Sequence, residues 1–539
     1  MKRRDLPSAA IALLAFAAYV VLSVWILYHG NLHEDAYILL AYAENLAAGD
    51  GIVYFQGGAP TEGATDFLWM VSLALMMFFG VDAGVSAALL NGLGIGLIAY
   101  LMVWNLRWEK DTWGKLIAGA AFTLLLLTSK ITLASASGFS TALYVGISTL
   151  IAQVYMRGSA SHALIIPWLS VLLGLVRPDG VIIGAAASFI GLGRVWGSSH
   201  RTRYLFNIAG AALVGVVYFA WRFNYFGQLL PLPLYVKSHG DSLLPGLGEN
   251  VNYLTSHAVL FMTAILALVT VSNEKRFLTA FVPVIALLAS LTFAHQSQNI
   301  ANRFQAPVTG MLYVALALFL GDFLRAAPAW KRRSIVGFAV AAMVAGIGLG
   351  PGSYLSLREK TYIQSFPFLA RDLLDEDVTI ALSEAGRMAY WNDAKTVDLV
   401  GLNTAEVAVE MLSVDYLAGV DPDVIFVHTA GTLTSFKGSA GNTLEVSQGF
   451  IDEHTRKEVA WQDVSQPVKR APHVVYAHLR AAPDRYNIVF ARLGDDFHHL
   501  YAVKKDGAVD WTEFKATLDA SFETSSERSY MDMKRELGH

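Results

Sequence analysis

Long apolar stretches recur through the first two thirds of this chain, at roughly 9–27, 66–80, 84–104, 116–129, 139–155, 163–176, 181–193, 205–221, 256–271, 277–293, 306–321 and 335–350. Each can span or partly span a bilayer as a helix, the conformation that satisfies every backbone amide within its own segment. About twelve such helices carry more apolar surface than they can hide in one another, so lipid must cover the remainder. A 54% hydrophobic, 16% charged composition over 539 residues agrees with that. The basic start Met1–Arg4 and the apolar run to Leu27 read as a first transmembrane helix rather than a signal peptide. The end of that run, Trp25-Ile26-Leu27-Tyr28-His29, lacks the small residues a signal peptidase needs.

The short Lys/Arg-rich connections set the expected orientation, because such loops stay cytoplasmic. They are Met1–Arg4, Arg194–Arg203, Lys275-Arg276 and Arg325–Arg333. Segments 28–65, 177–180, 222–255, 294–305 and everything after about 352 then face the far side. A cytoplasmic N-terminus with an external C-terminal domain needs an odd number of crossings. One stretch between 66 and 129 is therefore expected to be re-entrant or interfacial, giving about 11 crossings; a rival assignment leaves the Arg107–Lys115 loop outside. From Ser353 the composition becomes that of a globular domain. Val378–Leu382 and Val424–His428 read as buried strands, Thr404–Leu417 as a helix, and the residues from Lys504 as a peripheral helix or frayed tail. The expected architecture is a polytopic α-helical membrane domain, 1–352, followed by a soluble extracytoplasmic α/β or α+β domain, 353–539. The net charge of -4 without a basic run argues against nucleic acid, and the absence of cysteine removes disulfides, thiolate catalysis and Cys-based zinc sites.

Polar residues held near a bilayer are costly, so their clustering is informative. The first external loop, 28–65, carries His33-Glu34-Asp35-Ala36-Tyr37, Tyr42-Ala43-Glu44-Asn45-Leu46, Gly49-Asp50-Gly51 and Thr61-Glu62-Gly63, running on to Asp66-Phe67-Leu68-Trp69. Ile38–Leu46 can form a short amphipathic helix along the interface, which Glu34 and Asp35 would cap as solvated acids if they have no other role. Arg177-Pro178-Asp179-Gly180 is a tight turn in which Arg177 and Asp179 can pair with each other. Arg222, Lys237 and Arg303 share the external face with these acids. An aromatic belt with snorkelling cations is the plain reading of residues 221–237. Paired acids facing several cations are also the arrangement expected for a phosphate and a hydroxyl nucleophile.

The order of these motifs resembles that of multi-spanning, polyprenyl-phosphate-dependent glycosyltransferases of the GT-C fold, most of all the mycobacterial terminal arabinofuranosyltransferases and their bacterial relatives. The matching residues are Glu34-Asp35-Ala36, Glu62-Gly63, Leu68-Trp69, Arg177-Pro178-Asp179-Gly180, the run from Arg222 through Gly227 and Pro231 to Lys237, Arg303-Phe304 with Pro307, and Ala385-Gly386 with Asp398–Leu402. There are two departures: Ser140 stands in Ser137–Thr141 where relatives carry a carboxylate, and Leu232-Pro233 replaces Asn-Thr. The resemblance implies transfer of a sugar from a polyprenyl-phosphate donor to a hydroxyl of an extracytoplasmic glycan or lipid, in the plasma membrane of a bacterium. It implies Asp35, assisted by Glu34, as base, and Arg303, then Lys237 and Arg222, as phosphate ligands. Glu62, Tyr37, His33 and Arg177 would contact substrate. Some GT-C enzymes use a divalent metal and others do not, so an ion on Asp35 and Glu34 stays open. Two rivals are a flippase for lipid-linked sugars and a noncatalytic glycan-binding scaffold; against the flippase, the charges sit in external loops and no repeat is visible.

Overall fold

The computed structural model describes residues 6–538 apart from 107, 109–110, 240–242, 271–273, 297, 326, 336–361, 431–440, 456–459, 494–496 and 525–527. Met1–Arg4, most of the expected helix at 335–350 and the domain boundary near 352 lie outside the described residues.

Among the described residues the apolar stretches are helical. Those that frame the site are α1 (Leu6–His29), α2 (Glu34–Ala48), α3 (Phe67–Phe78), α4 (Ala83–Asn105), α5 (Thr112–Leu127), α6 (Lys130–Ala136) and α7 (Thr141–Arg157). Among the described residues four helices are long and apolar enough to cross a membrane: α1, α4, Arg201–Phe226 and Ala306–Phe323; five shorter apolar helices accompany them. α5 and α6 add a fifth if the pair, bent by 57°, counts as one broken span. That bend lies at the end of the region, 66–129, in which the sequence leads one to expect a re-entrant or interfacial element. Arg201–Phe226 leaves Leu213, Val216, Val217 and Phe219 exposed, a surface that only lipid or a further chain would cover. Asp111 pairs with Arg332 at 3.4 Å and with Arg333 at 2.7 Å, so Asp111 lies beside the basic cluster that precedes residue 335.

The C-terminal part holds a mixed six-stranded sheet in the order β2-β1-β3-β6-β5-β4, formed by β1 (Thr379–Leu382), β2 (Lys395–Asp398), β3 (Val424–Ala430), β4 (Thr443–Val446), β5 (Tyr486–Arg492) and β6 (Phe497–Lys504). β1 runs parallel to β2 and β3; the other pairs are antiparallel. The two expected strands are β1 and β3. Thr404–Leu417 is not one helix but two, Ala405–Glu410 and Val414–Val420: Met411 between them has φ 64°, and the Ser413 side chain caps the second. The end of the chain is not frayed. After β6 come helices Trp511–Thr524 and Tyr530–Glu536, and the second docks into the molecule through Tyr530, whose amide donates to Gly30 O at 2.9 Å and whose hydroxyl donates to Asp82 at 3.0 Å.

α2 does not lie along an interface with one free face. Residues Ala36 to Tyr42 are all buried, because α2 is sandwiched between α3 and the helix Arg387–Trp391 of the sheet domain. One hydrophobic core runs through this junction and contains Tyr37, Trp69, Phe366, Tyr390, Trp391 and Tyr530. The two parts of the chain are therefore packed together rather than joined only by a linker. Gly386 shows how close they come: a Cβ there would collide with the backbone carbonyl of Glu34.

Candidate active site

His33 N-caps α2 and its ring accepts from the Asp35 amide, while its own amide is tied to Ser137 O at 3.0 Å. Burial pushes the imidazole down to about 4, so His33 is neutral at ordinary pH and serves as a cap. Consecutive helical residues diverge by about 100°, and the two acids that follow accordingly face different parts of the molecule. Glu34 turns to the sheet domain: it accepts from the amides of Gly386 at 2.7 Å and Arg387 at 3.0 Å and from Arg387 Nη1 at 2.8 Å. Burial pushes its carboxyl up, against the pull of Arg387. Asp35 turns to the helical part, where Arg303 Nη2 lies 3.6 Å away.

Arg303 stacks its guanidinium 3.6 Å above the Phe139 ring. It follows a tight loop in which Gln298, Ala301 and Asn302 all adopt positive φ, an unfavourable conformation for non-glycine residues that neighbouring groups must hold in place. The Asn299 side chain donates to Gln296 and Gln305 and accepts from the Phe304 amide, and Lys130 donates to Asn302 at 2.6 Å. The next residue, Phe304, is the hub of the cationic cluster: Lys237 Nζ lies 5.1 Å, Arg303 Cζ 5.2 Å and Arg177 Cζ 5.5 Å from its ring centre. Burial, reinforced by Arg303 and Arg177, pushes the Lys237 ammonium down to about 8; burial likewise brings Arg303 down to about 10, with Asp35 opposing. Arg177 is paired through two bonds, 3.0 and 3.2 Å, with Asp179, as the turn allowed.

Several expected site residues are engaged elsewhere. Arg222 and Glu62 form a buried ion pair, with Arg222 Nε 2.8 Å from Oε2 and Nη2 also on that oxygen, and Arg222 Nη1 donates to Leu229 O at 2.7 Å. This pair ties the first loop to the end of Arg201–Phe226, and Gly63 packs so tightly on Leu402 and Asn403 that a side chain would collide with them. Tyr37 is fully buried against Tyr390, Trp391 and Tyr530. Asp35, Arg303, Lys237 and Arg177 are thus brought together, while Glu34, Glu62, Arg222, Tyr37 and His33 hold the surrounding frame. A residue absent from the expected set joins them. Asp66 accepts from the Ser140 hydroxyl at 2.6 Å, so a carboxylate stands directly beside Ser140. The signal was its place two residues before Leu68-Trp69. Among the described residues, a trio of metal-capable side chains comes within reach of one ion in the sheet domain, at Glu384, His428 and His499; Asp35 and Glu34 point apart.

Residues 357–491 match the model of a domain of unknown function, DUF8728. No curated protein matches the sequence. Among solved structures, the chain is similar to ArnT from Cupriavidus metallidurans bound to undecaprenyl phosphate, with TM-score 0.53 and 12% identity over 92% of this chain and 98% of that one. For the apo state of the same protein the values are 0.51 and 11%, over 80% and 95%. The arabinofuranosyltransferase AftD from Mycobacteria aligns at TM-score 0.44 and 13% identity, over 91% of this chain and 40% of that one. The helical part and the sheet domain, taken together, have the GT-C fold of membrane glycosyltransferases.

Proposed function

We propose that this chain transfers a sugar from a polyprenyl-phosphate donor to a hydroxyl of a glycan or lipid on the extracytoplasmic face of a bacterial plasma membrane. The observation that carries the reading is the meeting of Asp35 with Arg303, Lys237 and Arg177 around Phe304. The likeness to ArnT, a protein solved with undecaprenyl phosphate, supports the donor class.

A lipid phosphate leaves without a general acid, so the reaction asks for a base on the acceptor and for cations on the departing phosphate. Asp35 accepts the acceptor's proton. Arg303 presents its planar fork, suited to two phosphate oxygens, and Lys237 supplies a point charge beside it. Arg177, neutralised by Asp179, orients that pair through the shared ring. Glu34, which the sequence pairs with Asp35 as an assistant, instead fixes the first turn of α2 against the sheet domain, and Arg222 with Glu62 fixes the loop beyond it. Positioning of this kind matters because small displacements of reacting groups cost rate steeply.

The test is incubation of the detergent-purified protein with a panel of short-chain polyprenyl-phosphate sugars and acceptor glycans, with mass spectrometry of the lipid products. Release of polyprenyl phosphate is expected with at least one donor. A folded protein that releases none from any donor, yet moves intact lipid-linked sugar across vesicles, would overturn transfer in favour of transport.

A further inference from the structure

His428 and His499 face one another directly across the β3/β6 ladder, and Glu384 follows β1, which lies beside β3. Their polar atoms converge. His428 Nδ1 lies 3.1 Å from His499 Nε2 and 3.3 Å from Glu384 Oε1, and His499 Nε2 lies 3.5 Å from Glu384 Oε2. We propose that Glu384, His428 and His499 bind a divalent transition-metal ion of the zinc class.

Metal–nitrogen and metal–oxygen bonds of about 2.0–2.1 Å in a tetrahedral site set neighbouring ligand atoms roughly 3.3–3.4 Å apart. The two imidazole nitrogens and the nearer oxygen on each side lie close to that value, and because His428 meets Glu384 Oε1 while His499 meets Oε2, the carboxylate would turn slightly to present one oxygen to the ion. Two imidazoles and one carboxylate are a donor set suited to zinc and its neighbours and poor for calcium or magnesium, which favour oxygen. The outer contacts fit as well. The Tyr362 hydroxyl lies 2.6 Å from His499 Nδ1, and a proton on Nδ1 donated to that hydroxyl leaves the Nε2 lone pair aimed at the centre. His499 is fully buried, which fixes its ring. Beside Glu384 lies a cavity of about 10 Å³, room for roughly one water, bounded by Glu34, Arg387, Phe426 and Tyr501. Both Glu34 oxygens are held by Arg387 and the backbone, so Glu34 would not join the set and the fourth position would fall to solvent. The ion would join β1, β3 and β6 directly behind the Glu34–Arg387 contact, independently of what is transferred at Asp35.

The experiment uses the full chain, stripped with chelator, desalted and titrated with Zn²⁺ or Co²⁺. Elemental analysis after desalting and the visible absorption of bound Co²⁺ report binding without any activity assay. One retained equivalent is expected, with the intense visible bands of four-coordinate Co²⁺. Glu384→Gln and His428→Gln, both at partly exposed positions, should lose the equivalent while their metal-free forms melt as the metal-free wild type does. Tyr362→Phe should weaken binding about 10–100-fold. A stripped wild type that takes up neither ion overturns the site, as does Glu384→Gln binding with wild-type affinity.

Discussion

The first turn of α2 sets two adjacent carboxylates in opposite circumstances. Glu34 accepts three hydrogen bonds of 2.7–3.0 Å from the sheet domain, whereas among the described residues Asp35 pairs with one cation, Arg303, at 3.6 Å, beyond ordinary hydrogen-bond length. The arginines divide the same way. Arg222 spends Nε, Nη1 and Nη2 on Glu62 and Leu229, while Arg303 faces Asp35 at long range and its buried Nε meets no hydrogen-bond partner among the described residues. Saturated groups have nothing left to offer a ligand, and unsaturated buried ones carry a cost that a ligand can relieve. The contrast is one ground for the proposed division, in which Asp35 and Arg303 act on substrate and Glu34 and Arg222 hold the frame.

Substitutions on the two sides should fail differently. Asp35→Asn keeps the shape of α2 and removes the base. Turnover should fall by about 10²–10⁴-fold with the melting temperature in detergent unchanged; a variant that retains wild-type turnover would break the assignment of Asp35. Arg222→Ala should do the reverse. It strands the Glu62 carboxylate in a buried site at a cost of about 3–5 kcal/mol, read as a large drop in thermal stability. If that variant melts normally and loses only donor affinity, Arg222 belongs with the phosphate ligands after all.

How much of this was legible depends on how local each cause is. The Arg177–Gly180 turn could be read because proline and glycine set its geometry within four residues, and β1 and β3 because each is a short apolar run. The break at Met411 could not, since no glycine or proline marks it. The role of Glu34 was hidden for another reason: its partner Arg387 lies 353 residues away, and only the sheet domain's docking brings it there. Glu384, His428 and His499 come singly from the turn after β1, from β3 and from β6, so no spacing motif announces them. That Asp35, Arg303 and Lys237 would lie near one another was legible because costly charges in loops beside a membrane are informative by type alone.

Within the reactive side the two cations can be ranked. Arg303→Gln removes the charged fork and should raise the donor KM by about tenfold or more, the worth of roughly 1.5–3 kcal/mol for hydrogen bonds to a charged group, with kcat less affected. Unchanged KM would place the phosphate elsewhere.

The smallest effect is the most specific. Burial, then Arg303 and Arg177, bring the Lys237 ammonium down to about 8, so in the free protein it loses its charge as pH rises through that value. A sugar phosphodiester keeps its single negative charge over the same range, so any inflection in donor KM belongs to the protein. Donor KM should stay level below about pH 7, rise through about pH 8 by up to tenfold per unit, and level off once Arg303 alone holds the phosphate. Lys237→Arg, which keeps its charge at every accessible pH, should remove the inflection while preserving low-pH affinity. A wild-type KM that is flat from pH 7 to 9 would take Lys237 out of the donor site and leave Arg303 as the phosphate's principal cation.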